Sequence, residues 1–368
     1  MEQEKAAVLH IDSERYWRGG QQQAVYLHQE LLRLGRKSYL LCPPQSKTEK
    51  FCRLNNIPVF TLKMRNEADI IAALKISGIV KKHNIAVIVA HTAQALSLAI
   101  PAVKRNTFCK LIAIRRVDFH VGRNRLSRWK YSTALLDKIV AVSKAIKNIL
   151  VSDGIVSEKI TVIYDGIDLN KFKKGPSADD LKKKLDIPDN HIIIGTVAAL
   201  VGHKDYPNFL NAAKSALEKN PNITFIAVGS GNEEKALKEL HKQLNLGANF
   251  KFVGFQEDVG QFFRLFDIFV LSSKTEGLGS SLLDAMAMNL PVIGTNTGGI
   301  PELIENNKNG LLVEKENPRA LADAIIKLAD NDELRKYFAE EGLKRVQNFS
   351  VENIVKQYEM LFDEIILE

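Results

Sequence analysis

Short, largely apolar runs alternate with amphipathic stretches along almost the whole chain. The runs at 6–11, 38–41, 59–62, 86–90, 110–114, 138–142 and 160–163 read as strands. Between them, 21–34, 70–82 and 95–103 read as helices. The first places Ala24, Leu27, Leu31 and Leu34 at helical spacing and stops at Gly35. A strand that is apolar on both faces must be covered on both, which is the signature of a parallel sheet between helices. The pattern restarts after a charged stretch at 171–189. Strands are expected at 191–198, 223–228, 250–253, 268–271 and 291–294, and helices at 206–219, 233–244 and 319–329. A last amphipathic helix is expected at 351–367. The fold class is therefore α/β, with two Rossmann-like, doubly wound parallel-sheet domains in tandem. A length of 368 residues suits two domains. Open α/β sheets bind ligands beyond the carboxyl ends of their strands, so two facing domains are expected to form a cleft that holds the chemistry.

Charge divides along the same line. The net charge of +8 hides an excess of 15 basic residues in 1–173 and an excess of seven acidic residues in the remainder. A basic half can face nucleic acid, an anionic membrane or an anionic substrate. Cys42, Cys52 and Cys109 show no metal-ligand spacing and no disulfide framework, so reduced thiols and a cytoplasmic location are expected. The charged start and the lack of a long apolar run imply no secretion signal and no membrane span. Membrane contact is expected to be peripheral, at the inner face.

Several glycine-bearing turns follow strands and open helices. Gly19 and Gly20, after Trp17-Arg18, would let backbone N–H groups approach a phosphate. They match neither the dinucleotide fingerprint nor the Walker loop. Gly229, in Gly229-Ser-Gly231, is followed by Glu233 and Glu234, which suit a nucleoside neighbourhood better than a phosphate. The most informative segment runs from Ser272 to Ala287. Glu276 sits on a loop after a strand, Gly277 and Gly279 expose backbone amides, and Ser280 and Ser281 add hydroxyls. A helix follows that carries Asp284. An anion site at a helix start beside two carboxylates that grip hydroxyls fits a nucleotide-sugar. Lys204, on another loop of this kind, is placed to neutralise a diphosphate.

These motifs, in this order, resemble the retaining glycosyltransferases of family 4, with the two-domain GT-B fold. Glu276 to Asp284 resembles the E-x7-E motif of that family. Trp17-Arg-Gly-Gly20, Tyr164-Asp-Gly-Ile-Asp168, Val253-Gly-Phe255, Thr297-Gly-Gly-Ile-Pro-Glu302 and Asn309-Gly310 are similar as well. The resemblance implies an acceptor domain at 1–172, a nucleotide-sugar donor domain at 173–348, and a helix at 349–368 that returns to the first domain. It implies that Glu276 contacts the donor sugar and Lys204 the diphosphate, as the catalytic pair. Gly20, Leu278, Gly279 and Ser280 would meet the phosphates and sugar, and Asp284 the ribose. Base choice would lie near Gly229 and Phe255.

Three departures stand out. The second motif glutamate is shortened to Asp284, the usual arginine before the lysine is Ala199, and Arg115-Arg-Val-Asp-Phe-His120 replaces the usual N-domain histidine. His91, Arg116, Asp118 and His120 are candidates for the acceptor. The implied reaction is glycosyl transfer to a hydroxyl with retention, with no metal or other cofactor expected. The basic run Arg105, Lys110, Arg115, Arg116, Arg123, Arg125, Arg128 and Lys130, with Trp129 and Tyr131, suits a glycolipid or polysaccharide precursor at an anionic membrane, as in lipopolysaccharide assembly. No nucleic acid partner is expected. Two other classes stay open: a non-catalytic binder of nucleotide-sugar or anionic lipid, and a GT-B nucleotide-sugar epimerase.

Overall fold

The computed structural model describes residues 5–122, 125–171, 175 and 177–367. The chain divides into two compact units, Met1–Gly166 with Val351–Glu368, and Ile167–Ser350.

The first unit holds a seven-stranded sheet. Its strands are β1 (Ala7–Ile11), β2 (Ser38–Cys42), β3 (Phe60–Thr61), β4 (Ile85–Ala90), β5 (Lys110–Arg115), β6 (Lys138–Ala141) and β7 (Ile160–Val162). Their order is β3-β2-β1-β4-β5-β6-β7, with every pairing parallel. β1 and β4 are wholly buried except for Ala86, as their largely apolar sequence requires, and β1 carries the polar His10 inside with it. The order reverses between β1 and β4, so a crevice opens beyond Ile11 and Ala90.

The second unit repeats the plan with six strands. These are β8 (Ile192–Val197), β9 (Ile223–Val228), β10 (Phe250–Gly254), β11 (Ile268–Leu271), β12 (Val292–Thr295) and β13 (Leu311–Val313). Their order is β10-β9-β8-β11-β12-β13, again all parallel. Its core packs Phe209, Phe225 and Phe250 against one another. Gly195, inside β8, leaves room for the Phe266 ring, which a Cβ there would meet at 2.2 Å. The reversal lies between β8 and β11, beyond Val197 and Leu271.

The first unit ends at Gly166, short of the expected boundary at 172. Ile167 donates its N–H to Phe349 O at 2.8 Å and bridges Ser350, which ties 167–171 and 349–350 to the second unit. The returning helix accordingly starts at Val351. Phe172, Lys173, Lys174 and Pro176, within the expected linker, lie outside the described residues, as does Arg123 of the basic run. The charged linker contains a helix, Ala178–Lys184, that Ser177 caps. Helices Lys47–Leu54, Lys144–Ser152 and Asp332–Val346 and strand β13 also go beyond the sequence reading.

Helix Val351–Leu367 is fastened to the first unit by Arg36, whose side chain is fully buried. Its guanidinium bonds Asp363 at 2.6 Å, reaches Glu359 at 3.4 Å and sits over the Phe362 ring.

Candidate active site

In the second unit, the loops after β8 and β11 meet at the strand-order reversal. Lys204 and Glu276 form an ion pair, with 17% and 13% of their side chains exposed. Ser273 donates its hydroxyl to the same Glu276 oxygen at 3.1 Å. The surrounding backbone explains why the loop holds this shape. Lys274 N donates to His203 O at 2.8 Å, Thr297 Oγ1 to Lys274 O at 2.9 Å, and Gly299 N to Glu276 O at 3.1 Å. Gly298, at φ 53°, lies so close beneath Glu276 that a Cβ would fall 1.8 Å from its carbonyl oxygen. The Gly298-Gly299 motif therefore builds the Glu276 loop.

Gly277 and Leu278 are buried on that loop. Gly279 adopts φ 93° and starts helix Ser280–Ala287, whose first turn no side chain caps. The N–H groups of Ser280 and Ser281 have no carbonyl four residues back within the helix, so this end can receive an anion. Asp284 lies one turn further on, with Lys171 Nζ 3.5 Å from its Oδ1. Burial holds the Asp284 carboxyl above its usual range, and the neighbouring Lys171 opposes that shift.

Gly229 proves to be needed for packing. At φ 143°, a Cβ there would lie 2.0 Å from Ala198 O, and one at Gly231 would lie 2.1 Å from Leu200 O. These glycines let the loop after β9 rest on the loop after β8. Phe255 is exposed nearby in the chain, after β10, with no ring partner among the described residues. At Ala199, where a second cation was sought, the backbone instead packs on Gly229.

In the first unit, a row of polar side chains occupies the crevice at the reversal. Arg116 donates from Nε to Asp165 at 2.9 Å and from Nη1 to His91 Nδ1 at 3.3 Å. A guanidinium only donates, so His91 Nδ1 accepts and its proton resides on Nε2. That proton goes to His10 Nδ1, 3.1 Å away. Burial is the main reason that His10 and His91 both fall well below the ordinary imidazole range, helped by each one's charged or histidine neighbours. Gly20, in the first turn of helix Gly19–Arg33, where Gln21 accepts from Arg18 N at 3.2 Å, lies beside Arg116, and a Cβ there would make only an ordinary 3.7 Å contact. Asp12 accepts from Glu14 N, Gln21 and Thr48, and burial pushes its carboxyl up to about 6.

The structure thus brings Gly19, Gly20, His91 and Arg116 together, and separately Lys204, Glu276, Gly277, Leu278, Gly279, Ser280, Ser281 and Asp284. It does not bring His120 to His91 and Arg116. His120 instead pairs with Asp153 at 2.8 Å, where Asp153 also accepts from Val121 and Gly122 N–H groups and fastens that loop. Asp118 is partly buried on the same loop, with no hydrogen bond or ion pair to His91 or Arg116 among the described residues. The basic run is also largely spent internally. Arg115 is buried against Tyr131, Lys130 pairs with Glu67 at 2.8 Å, and Lys110 faces Asp137 at 3.8 Å. Sequence reasoning missed His10, Asp12, Asp165, Lys171 and Ser273. The one local signal was polar residues closing an apolar strand, at His10 and Asp12.

Comparison with known proteins bears on the family and the fold. The family described as glycosyl transferases group 1 matches residues 177–345, and glycosyltransferase family 4 matches 17–171. An uncharacterized glycosyltransferase of Methanocaldococcus jannaschii is 30% identical over 64% of this chain and 62% of its own length. The capsular polysaccharide biosynthesis glycosyltransferase CapM of Staphylococcus aureus is 28% identical over 62% of each chain. The chain thus matches about three fifths of the length of these relatives. The crystal structure of Anabaena HepE with UDP and glucose superposes with a TM-score of 0.84 at 22% identity, over 98% of this chain and 100% of that one. With both family matches side by side on two Rossmann-like units, the chain belongs to the group 1 glycosyltransferases and has the GT-B fold.

Proposed function

We propose that the chain transfers a glycosyl unit from a nucleotide-sugar to a hydroxyl of a glycolipid or cell-surface polysaccharide precursor, with retention at the anomeric carbon. The observation that carries this reading is the Lys204–Glu276 pair beside the uncapped start of helix Ser280–Ala287. When a nucleotide-sugar enters, Lys204 leaves Glu276 for the diphosphate, and the helix amides meet the phosphate oxygens. Glu276 is then free to accept from sugar hydroxyls. Both donor groups lie where charge develops as the glycosidic C–O bond breaks, so they stabilise the leaving diphosphate. This reading takes that stabilisation from protein groups alone, without a metal. The leaving oxygen, on the same face as the incoming hydroxyl, takes its proton. Asp284 accepts from the ribose, Gly20 faces the donor phosphates, and Arg116, with His91, serves the acceptor side. The names of the Staphylococcus aureus relative and the Anabaena complex support a polysaccharide-type acceptor and a UDP-sugar donor.

The acceptor's anionic membrane contact belongs in this reading to helix Ile70–Lys82 with Arg105, rather than to the rest of the basic run. Ile70, Ile71 and Leu74 are 73%, 58% and 46% exposed there. Ile70 and Leu74 border a groove of about 450 Å³ that Lys104 and Arg105 line together with Glu67 and Asp69.

The test is incubation with UDP-glucose, UDP-galactose, UDP-N-acetylglucosamine and GDP-mannose, with and without lipid-linked and soluble saccharides. An α-linked product, absent with Glu276→Ala, is the expected result. An inverted product would overturn retention. Epimerised nucleotide-sugar without acceptor would favour the epimerase, and binding without turnover the non-catalytic binder.

A further inference from the structure

Lys171 is a residue that neither the motifs nor the family resemblance assigns, yet its position is fixed from both sides. The chain before it is held by Ile167, whose N–H bonds Phe349 O at 2.8 Å. Asp168 then folds a tight turn. Its carboxylate accepts from Asn170 N at 2.9 Å, and its carbonyl accepts from Lys171 N at 3.1 Å. The turn sends the Lys171 ammonium to Asp284 on helix Ser280–Ala287, at 3.5 Å. Both side chains are mostly withdrawn from water, 24% and 18% exposed. A pair this sheltered costs desolvation, so its geometry calls for a role beyond surface stabilisation.

The Asp284 environment supplies that role. Its Oδ1 faces Lys171, whereas Oδ2 makes no hydrogen bond among the described residues. A ribose offers two adjacent hydroxyls, and an ionised carboxylate can only accept, whereas a neutral carboxyl has a proton of its own to place. A carboxyl in this sheltered place loses its charge unless a cation stands by. The aspartate is also one methylene shorter than the glutamate of the family motif, so its carboxylate has less freedom to seek a solvated position.

We infer that Lys171 is a positioning residue for the nucleoside, holding the Asp284 carboxylate ionised and aimed so that it accepts from the ribose hydroxyls. This rests on the reading of Asp284 as the ribose acceptor given above. Lys171 itself makes no contact with the ligand in this account.

Calorimetric binding of UDP, GDP and ADP, each beside its 2′-deoxy form, tests it between pH 6 and pH 9. The wild type is expected to bind the ribo form of its preferred nucleotide about tenfold more tightly across that range, the ratio that one good hydrogen bond gives. In Lys171→Met the ratio is expected to collapse towards one at pH 6 and to recover by pH 9. In Lys171→Arg it is expected to stay near the wild-type value, which also controls for folding. A ratio and pH profile in Lys171→Met equal to the wild type would overturn the inference, as would loss of the ratio at every pH in both variants. No ribose preference in the wild type, or one that survives Asp284→Ala, would overturn the ribose role of Asp284 itself. That outcome is distinct, because it appears without touching Lys171.

Discussion

Lys204 and Glu276 close on each other, and Ser273 adds a third contact to the same carboxylate oxygen. In the proposed reaction a diphosphate therefore displaces Glu276 from Lys204, and the freed carboxylate turns to sugar hydroxyls in the same event. Either partner alone is insufficient, so Lys204→Met and Glu276→Ala should each lower the transfer rate by about 10²–10³-fold at saturating donor. A steady-state assay checks this, and full turnover in either variant would remove that residue from the chemistry. Glu276 stood out as a candidate in the sequence because glycines and hydroxyl residues surround it, and Lys204 because it is a cation on a loop between a strand and a helix. Lys171 and Ser273 did not. A lysine in a charged stretch and a serine at a strand end carry no local mark, and only the closing of distant segments gives them a partner. The glycines divide in a similar way. Gly229 is small because a carbonyl oxygen lies against it, whereas Gly20 faces only the flexible stem of Arg116.

The carboxyl ends of β1 and β4 gather titratable groups that the apolar interior would otherwise exclude. His10, His28 and His91 are all held below the ordinary imidazole range by burial, His28 to about 4. These rings stay neutral when folded and take protons when unfolded, so they destabilise the fold as pH drops below about 6.5. Asp12 acts in the opposite sense. Its carboxyl, pushed up to about 6, is largely protonated in the fold at pH 5, where the unfolded chain leaves it mostly ionised. Near pH 5 the unfolded chain thus binds more protons than the fold, since three histidines outweigh one aspartate, which makes stability fall as the pH drops. Urea unfolding of the wild type at pH 7, 6 and 5 measures the slope, and a flat profile would contradict the buried neutral histidines. Strand β1 itself was plain in the sequence, but its His10 was absorbed into an apolar run. The elements that escaped have physical reasons too. Helix Lys47–Leu54 buries only Thr48 and Cys52, so its apolar face is too thin to read. Strand β13 is three residues long, too short for any period to show.

The two-unit plan was legible because the strand–helix rhythm restarts, yet the boundary was not, since a backbone bond between Ile167 and Phe349 sets it. Net charge pointed to an anionic partner for the first unit but not to the surface, because Arg115, Lys110 and Lys130 are spent inside. If Ile70, Ile71 and Leu74 seat on a membrane, Ile71→Glu with Leu74→Glu should reduce co-sedimentation with phosphatidylglycerol vesicles about tenfold, leaving transfer to a soluble acceptor intact. Wild-type protein that ignores such vesicles would refute this face. Arg36 carries a different burden, since it holds helix Val351–Leu367 through Glu359 and Asp363. Arg36→Ala should cost about 3 kcal/mol, by chemical denaturation, and should speed hydrogen exchange in that helix. The same helix has a consequence for synthesis. The second unit is one uninterrupted segment, Ile167–Ser350, whereas the first is split around it. A ribosome therefore finishes the second unit while the first still lacks the strap that neutralises Arg36. The later-made half is ready earlier, reversing the usual N-to-C order of domain completion. A nascent chain stopped before Val351 would carry a finished second unit and an unfinished first one, with the apolar surface that the helix covers bare to chaperones and proteases.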